Sequence, residues 1–81
     1  MTPVELVLDR MQRGASLVVI AQSQHDDGGN VTCTDINKIT LGLTNGAEIG
    51  LPPSIFADLA PRINLIKSKS DEDCAFVYML R

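Results

Sequence analysis

The fold is decided by residues 35–51, which read DINKITLGLTNGAEIGL. On both sides of residues 44–46 the side chains alternate between apolar and polar or small, the pattern of two antiparallel strands that share one buried face. A three-residue loop at 44–46 places six apolar side chains on that face, in the pairs Ile39 with Leu51, Leu41 with Ile49 and Leu43 with Ala47. Gly46 then takes the left-handed position that ends such a loop and that glycine adopts without steric cost. The stretch therefore favours a β-hairpin.

The same stretch has a second interpretation, a helix that begins at Asp35. Its apolar face would consist of Ile36, Ile39 and Leu43, which recur at a spacing of three to four residues. Gly42 and the β-branched residues lower the helix propensity of this segment. We therefore expect the hairpin and keep the helix as the alternative.

A helix at this place would give the order helix 3–13, strand 17–22, helix 35–43, helix 53–60 and a two-stranded wing over 63–80. That order resembles the winged helix-turn-helix family, and the resemblance implies a transcriptional regulator that binds nucleic acid. Residues 54–60 would form its recognition helix, but they include Asp58 and no Lys or Arg. Helices that read bases use several polar or basic contacts, so this segment departs from the family's pattern.

The N-terminal segment predicts a helix over residues 3–13. Thr2 and Glu5 have the spacing of a capping box, and Pro3 stands at the first helical position, where its missing N–H costs nothing. Gly14 follows as a left-handed C-terminal cap. A second, shorter helix is expected over 53–60, opened by prolines and ended near Pro61.

Two further hairpins are expected around these helices. Residues 16–22 form a β-branched apolar run, residues 25–30 are turn formers, and residues 31–34 look extended. Residues 63–68 and 74–80 read as two strands joined by the polar tip 70–73. The chain therefore predicts an α+β fold: a capped N-terminal helix and a second short helix packed on a small, mostly antiparallel sheet of hairpins.

Length and composition limit the chain to one compact domain over residues 1–81. It has 44% hydrophobic residues, 21% charged residues and a net charge of −3. Such a small domain buries a small core, so we expect it to gain stability from a partner or from self-association. The negative charge disfavours nucleic-acid binding, which depends on clustered Lys and Arg.

Cys33 and Cys74 are the two cysteines of the chain, and each falls on an expected strand. They lack the spacing of a redox motif, so we expect two small, buried and reduced side chains; a bridge across strands after oxidation is the alternative. Asp9, Arg10 and Arg13 interrupt any apolar run of a signal peptide, and no apolar stretch is long enough to span a membrane. These features predict a cytoplasmic protein.

His25, Asp26 and Asp27 form the one cluster that contains a histidine, the side chain most suited to acid–base chemistry near neutral pH. With Cys33 nearby, the cluster contains ligand types for a metal, but its spacing matches no zinc or calcium pattern. Asp, Gly and Asn also simply suit a solvated turn, and we favour that interpretation. We therefore expect no cofactor and no metal.

Arg62, Lys67 and Lys69 are the candidate partner contacts, because they form the basic part of the last hairpin. The alternative interpretation is that these lysines keep an exposed edge strand from pairing with a neighbour. Acidic residues follow at 71–73 and oppose phosphate binding.

The sequence therefore favours a small non-catalytic regulatory, adaptor or inhibitor-type domain that binds another protein, with homo-oligomerisation as an option. Compact chains of this kind are common among accessory proteins of phages and mobile elements. A winged-helix transcriptional regulator is the alternative function. A small enzyme or a metal site around His25 is the second alternative and the least favoured, because a chain of this size encloses an active site with difficulty.

Overall fold

The structure, a computed structural model, describes residues 1–69 and 74–81 and has an α+β fold. A five-stranded antiparallel sheet has the strand order β3-β2-β1-β5-β4. Its strands are β1 (Ser16–His25), β2 (Val31–Gly42), β3 (Glu48–Leu51), β4 (Ile63–Lys69) and β5 (Cys74–Leu80). Helix α1 (Pro3–Gln12) precedes β1, and a short helical segment separates β3 from β4. The expected fold class is confirmed; the predicted tip at 70–73 lies outside the described residues.

Helix α1 begins with the predicted capping box. The Glu5 backbone N–H donates to Thr2 Oγ1 at 3.1 Å, and the Thr2 backbone N–H donates to Glu5 Oε1 at 3.4 Å. The helix ends one residue before the predicted limit, and Gly14 follows with a left-handed φ of 102°. Its side chains Val7 and Met11 are buried, so the helix is held by its contact with the sheet as well as by its cap.

The hairpin between β2 and β3 has the register that the sequence predicts. Ile39 pairs with Leu51 and Leu41 with Ile49, and the Leu43 N–H donates to the Ala47 carbonyl at 2.8 Å. Gly46 closes the loop with a φ of 89°. The alternative helix over 35–43 is wrong, because residues 35–42 belong to a strand whose alternate side chains reach the core. The winged-helix order of elements is therefore absent.

Strands β1 and β2 are longer than expected. Residues 31–34 and the first strand of the predicted hairpin form one continuous strand, and β1 continues to His25 instead of ending at 22. The pairing of β1 with β2 shifts register twice, between Ile20 and Ala21 and between Ala21 and Ser23. Bulges of this kind bend and twist a strand pair. Residues 22–34, beyond the bulges, are called the hairpin arm below.

A disulfide between Cys33 and Cys74 ties the hairpin arm to the start of β5. Strands that flank a common neighbour lie about 10 Å apart in a regular sheet, but here the two Cα atoms are 5.8 Å apart. Both register shifts lie between the regular part of the sheet and the Ser23–Cys33 pair, where they bend β2 and bring Cys33 closer to β5. The prediction of reduced cysteines is therefore wrong, and the bridge that we kept as the alternative is present.

The core lies on one face of the sheet, called the inner face. Residues 53–62 form a 3-10 turn (Pro53–Ile55), helix α2 (Phe56–Leu59) and a second 3-10 turn (Ala60–Arg62), in place of the single helix predicted over 53–60. This segment and α1 pack on the inner face. The core consists of Val7, Met11, Ala15, Leu17, Val19, Ile39, Leu41, Ile55, Leu59 and Ile63. Both helical segments therefore cover the same side of the sheet.

The substitution Gly46→Ala is expected to lower the free energy of unfolding by about 1 kcal/mol, because alanine resists a positive φ. No atom lies within 4 Å of an added Cβ at this position, so the effect isolates backbone strain from steric contact. Gly50→Ala is the matched control, since Gly50 is also open but has no positive φ. Urea unfolding of the two variants measures the difference; equal midpoints would contradict the loop geometry.

The double substitution of Cys33 and Cys74 by serine is expected to lower the free energy of unfolding by about 4 kcal/mol. The bridge closes a loop with a sequence separation of 41 residues, which restricts the unfolded chain strongly. Urea unfolding with and without a phosphine reductant measures the effect. The reductant should lower the urea midpoint of the wild type and leave the midpoint of the double variant unchanged. An unchanged midpoint of the wild type would contradict the bridge.

Candidate protein-interaction surface

The predicted cluster at the tip of the hairpin arm is an internally bonded turn. Asp26 Oδ1 accepts the backbone N–H of Gly28 at 2.9 Å and that of Asn30 at 2.8 Å, and Asp26 Oδ2 accepts the Asn30 side-chain amide at 3.0 Å. The Asp26 backbone N–H donates to the Asn30 carbonyl at 3.0 Å. The Asp26 carboxylate therefore shapes the loop.

The lowered pKa of the Asp26 carboxyl is consistent with its role as the hydrogen-bond acceptor that shapes the loop. The hydrogen bond from the Asn30 side chain, followed by the backbone N–H of Asn30, holds the pKa of the Asp26 carboxyl below its ordinary value of 3.8. His25, Asp26 and Asp27 are all exposed. Within residues 1–69 and 74–81, no three His, Cys, Asp or Glu side chains are grouped so that they would hold a metal ion.

The predicted partner contacts are spread along β4. Arg62 is exposed in the turn before the strand, and its carbonyl accepts the backbone N–H of Arg81 at 3.1 Å. Lys67 is exposed and pairs in register with Val77, and Lys69 pairs with Ala75. The side chain of Lys69 lies outside the described residues. Arg62 and Lys67 therefore stand towards opposite ends of one edge strand.

The surface that the sequence reasoning missed is the other face of the sheet, called the outer face. Val18 and Ile20 alternate with the buried Leu17 and Val19, so they point away from the core. Their partners on β5 point the same way, because residues opposite each other in antiparallel strands share a face. The apolar strip of the outer face consists of Val18, Ile20, Ala75, Val77 and Met79, all half-buried. In the described part of the chain both helical segments pack on the inner face, so this strip is open to solvent.

Polar side chains flank the apolar strip on both sides. Lys38, Thr40 and Glu48 lie on β2 and β3, and Asn64 and Lys67 lie on β4. On the β2 side the surface contains a depression of about 220 Å³, lined by Val18, Ile20, Lys38, Thr40, Gly42 and Glu48. An apolar centre with a polar rim is the usual composition of a protein-binding patch.

Edge strand β4 has two exposed aliphatic side chains, Leu65 opposite Tyr78 of the inner face and Ile66 next to it. Leu65 is 51% exposed and Ile66 is 59% exposed. The pairing with β5 shifts register between Leu65 and Lys67, so β4 contains a bulge at Ile66. A bulge and lysines are features that prevent an edge strand from adding a further strand. The bulge and Lys67 therefore disfavour extension of the sheet at β4.

The sequence pattern of two strands indicates that the outer face is apolar. Antiparallel strands with one solvated face alternate between apolar and polar residues, but residues 17–21 read LVVIA and residues 74–80 read CAFVYML. Both strands are apolar at odd and even positions. A strand with this pattern is expected to have both of its faces packed against other elements. Here the two helical segments pack against the inner face.

Comparison with known proteins finds no similar protein: no family model, no curated protein and no solved structure matches the chain. Within the described residues, no helix has the length and apolar character needed to cross a membrane.

Asp26→Ala is expected to destabilise the fold at neutral pH and to remove part of its acid sensitivity. Because the folded pKa is lowered, the carboxylate contributes stability fully above 3.8, and this contribution is lost as the pH falls through the folded pKa. Thermal unfolding from neutral to strongly acidic pH measures the effect. The gap between wild type and Asp26→Ala should close in acid; Asp27→Ala, the matched control, should show a smaller gap. A gap that persists in strong acid would contradict the role of Asp26.

Proposed function

We propose that this domain functions by binding another protein through the outer face of its sheet. The observation that carries the proposal is the strip of five half-buried apolar side chains on β1 and β5, which the described helices leave open. Contiguous apolar patches with a polar rim mark interaction sites on soluble proteins. A small core also benefits from a bound partner, because binding to the folded state raises its stability.

The proposal is for a non-catalytic domain of the regulatory, adaptor or inhibitor type. It assigns no catalytic role to His25, Asp26 or Asp27, since the Asp26 carboxylate is engaged by the N–H groups of its own loop. The alternative function, a winged-helix regulator that binds nucleic acid, required a helix over residues 35–43, and these residues belong to strand β2 instead. The net charge of −3 also disfavours binding to nucleic acid. The exposed Arg62 and Lys67 fit the rim of a protein interface as well as they fit phosphates.

The cytoplasmic location stays a prediction, which rests on the charged residues that interrupt any signal-peptide pattern. The reduced cysteines that were expected in that compartment are replaced in the structure by a disulfide. Disulfides are common in secreted proteins and rare in the cytosol. Alkylation of free thiols in freshly lysed cells, followed by mass measurement, distinguishes a protein that is oxidised in its compartment from one that is reduced.

The proposal is tested by photo-crosslinking in cells of the natural source. A benzophenone amino acid at Thr40, on the outer face, is expected to form covalent adducts with protein. The matched control places the same amino acid at Gln12, an exposed position on α1. Adducts from position 40 that vanish with Val77→Lys support the proposal. Equal labelling from positions 40 and 12, or labelling from neither, would overturn it.

A further inference from the structure

We propose that the partner on the outer face is a second copy of this chain, packed face to face about a two-fold axis parallel to β1. This inference rests on the proposed function and gives its partner an identity. It follows from the shape of the face and from the placement of its charges, and the area of the face predicts how strongly the copies associate.

The two halves of the outer face are complementary in shape. The half formed by β1, β2 and β3 contains the depression of about 220 Å³, and Gly42 contributes no side chain to its lining. The other half carries Val77 and Met79 on β5. A two-fold axis that lies between the two sheets, over β1 and parallel to it, places β5 of each copy over β2 of the other copy. Val77 and Met79 of each copy then enter the depression of the partner, so the interface forms the same contact twice, as an isologous dimer requires.

The register fixes which residues meet in this arrangement. Met79 lies two residues beyond Val77, in the row of the sheet that contains Ser16, and Gly42 pairs with Ser16. Met79 of each copy therefore faces the glycine of the partner, a large side chain over the position that has none. Sheets that pack face to face keep their strands within about 30° of each other, which preserves this correspondence.

The charges of the rim select the same axis. Glu48 lies on edge strand β3, in the row of Ser16, and Lys67 lies on edge strand β4, in the row of Val18. The axis parallel to β1 places β3 of one copy over β4 of the other, so Glu48 and Lys67 of the partner subunit are about 7 Å apart along the strands. The side chains of Glu48 and Lys67 are long enough to bridge this distance and form an ion pair between the two copies. An axis perpendicular to the strands would instead place β4 over β4 and bring Lys67 beside Lys67 of the partner subunit.

The area of the face predicts how strongly the copies associate. Five strands and five rows of residues give a footprint of about 400 Å² per copy. A standard interface buries about 800 Å² of each partner, so this dimer belongs to the small, reversible class. We therefore expect an equilibrium between monomer and dimer that depends on concentration, in contrast to an obligate dimer.

The inference is tested by sedimentation equilibrium of the purified, oxidised full-length chain over a wide range of concentrations. The wild type should change from monomer to dimer as concentration rises. Gly42→Leu fills the depression and should raise the dissociation constant at least about tenfold. An added Cβ at Gly42 meets only the Ser16 carbonyl oxygen at 3.9 Å, an ordinary contact, so the monomer should stay folded; circular dichroism checks this.

A charge reversal tests the orientation separately from the packing. Glu48→Lys and Lys67→Glu should each weaken the dimer about fivefold or more, because each change affects two symmetry-related pairs. The double variant should restore the wild-type dissociation constant to within about twofold. Loss without rescue would overturn the proposed axis, and a dimer that tolerates Gly42→Leu would overturn the proposed interface.

The outcome also separates this inference from the proposed function. A chain that stays monomeric at every concentration, with adducts to other proteins from position 40, overturns the second copy as partner and leaves protein binding supported. A monomeric chain without any adduct from position 40 overturns both. Adducts between two copies, together with a dimer that Gly42→Leu dissociates, support both.

Discussion

The structure depends on strand β1, which is paired on both edges and is apolar on both faces. Its neighbours are β2 and β5, so β1 is the strand through which the two halves of the sheet are joined. Leu17 and Val19 point into the core, where α1 and the segment 53–62 cover them. Val18 and Ile20 point to the other side. Burial of apolar side chains on both faces of such a strand is favourable, and within residues 1–69 and 74–81 the two helical segments cover one face.

Local features of the fold were predictable because short-range chemistry determines them. The capping box needs Thr2, Glu5 and the intervening helical turn, all within one segment. The register of β2 with β3 follows from the need to place Leu41 and Ile49 on one face. The capping box is recognised from residue types and their spacing, and the register from the face that the apolar residues share, so neither feature depends on a distant segment.

The hairpin arm was harder to predict because its shape depends on contacts between distant segments. The register shifts after Ile20 leave no simple mark in the sequence, since neither glycine nor proline stands at residues 20–24 or 33–38. Without those shifts, Cys33 and Cys74 would lie on strands too far apart to bridge. Composition alone therefore predicts two reduced cysteines, while the bent strand pair brings them together. The outer face was harder to predict for a related reason: apolar runs such as 17–21 and 74–80 predict strands, but distant segments determine which of their faces is covered.

The disulfide and the open face are connected through β5. Cys74 is the first residue of that strand and is fully buried, and the bridge fixes it against the hairpin arm. Ala75, Val77 and Met79 follow on the outer face, so the bridge anchors the start of the strand that supplies three of the five side chains of the apolar strip. A binding surface gains affinity when its side chains are held in place before the partner arrives. The bridge therefore stabilises the small core, and the same covalent bond fixes the start of the strand that carries the proposed interface.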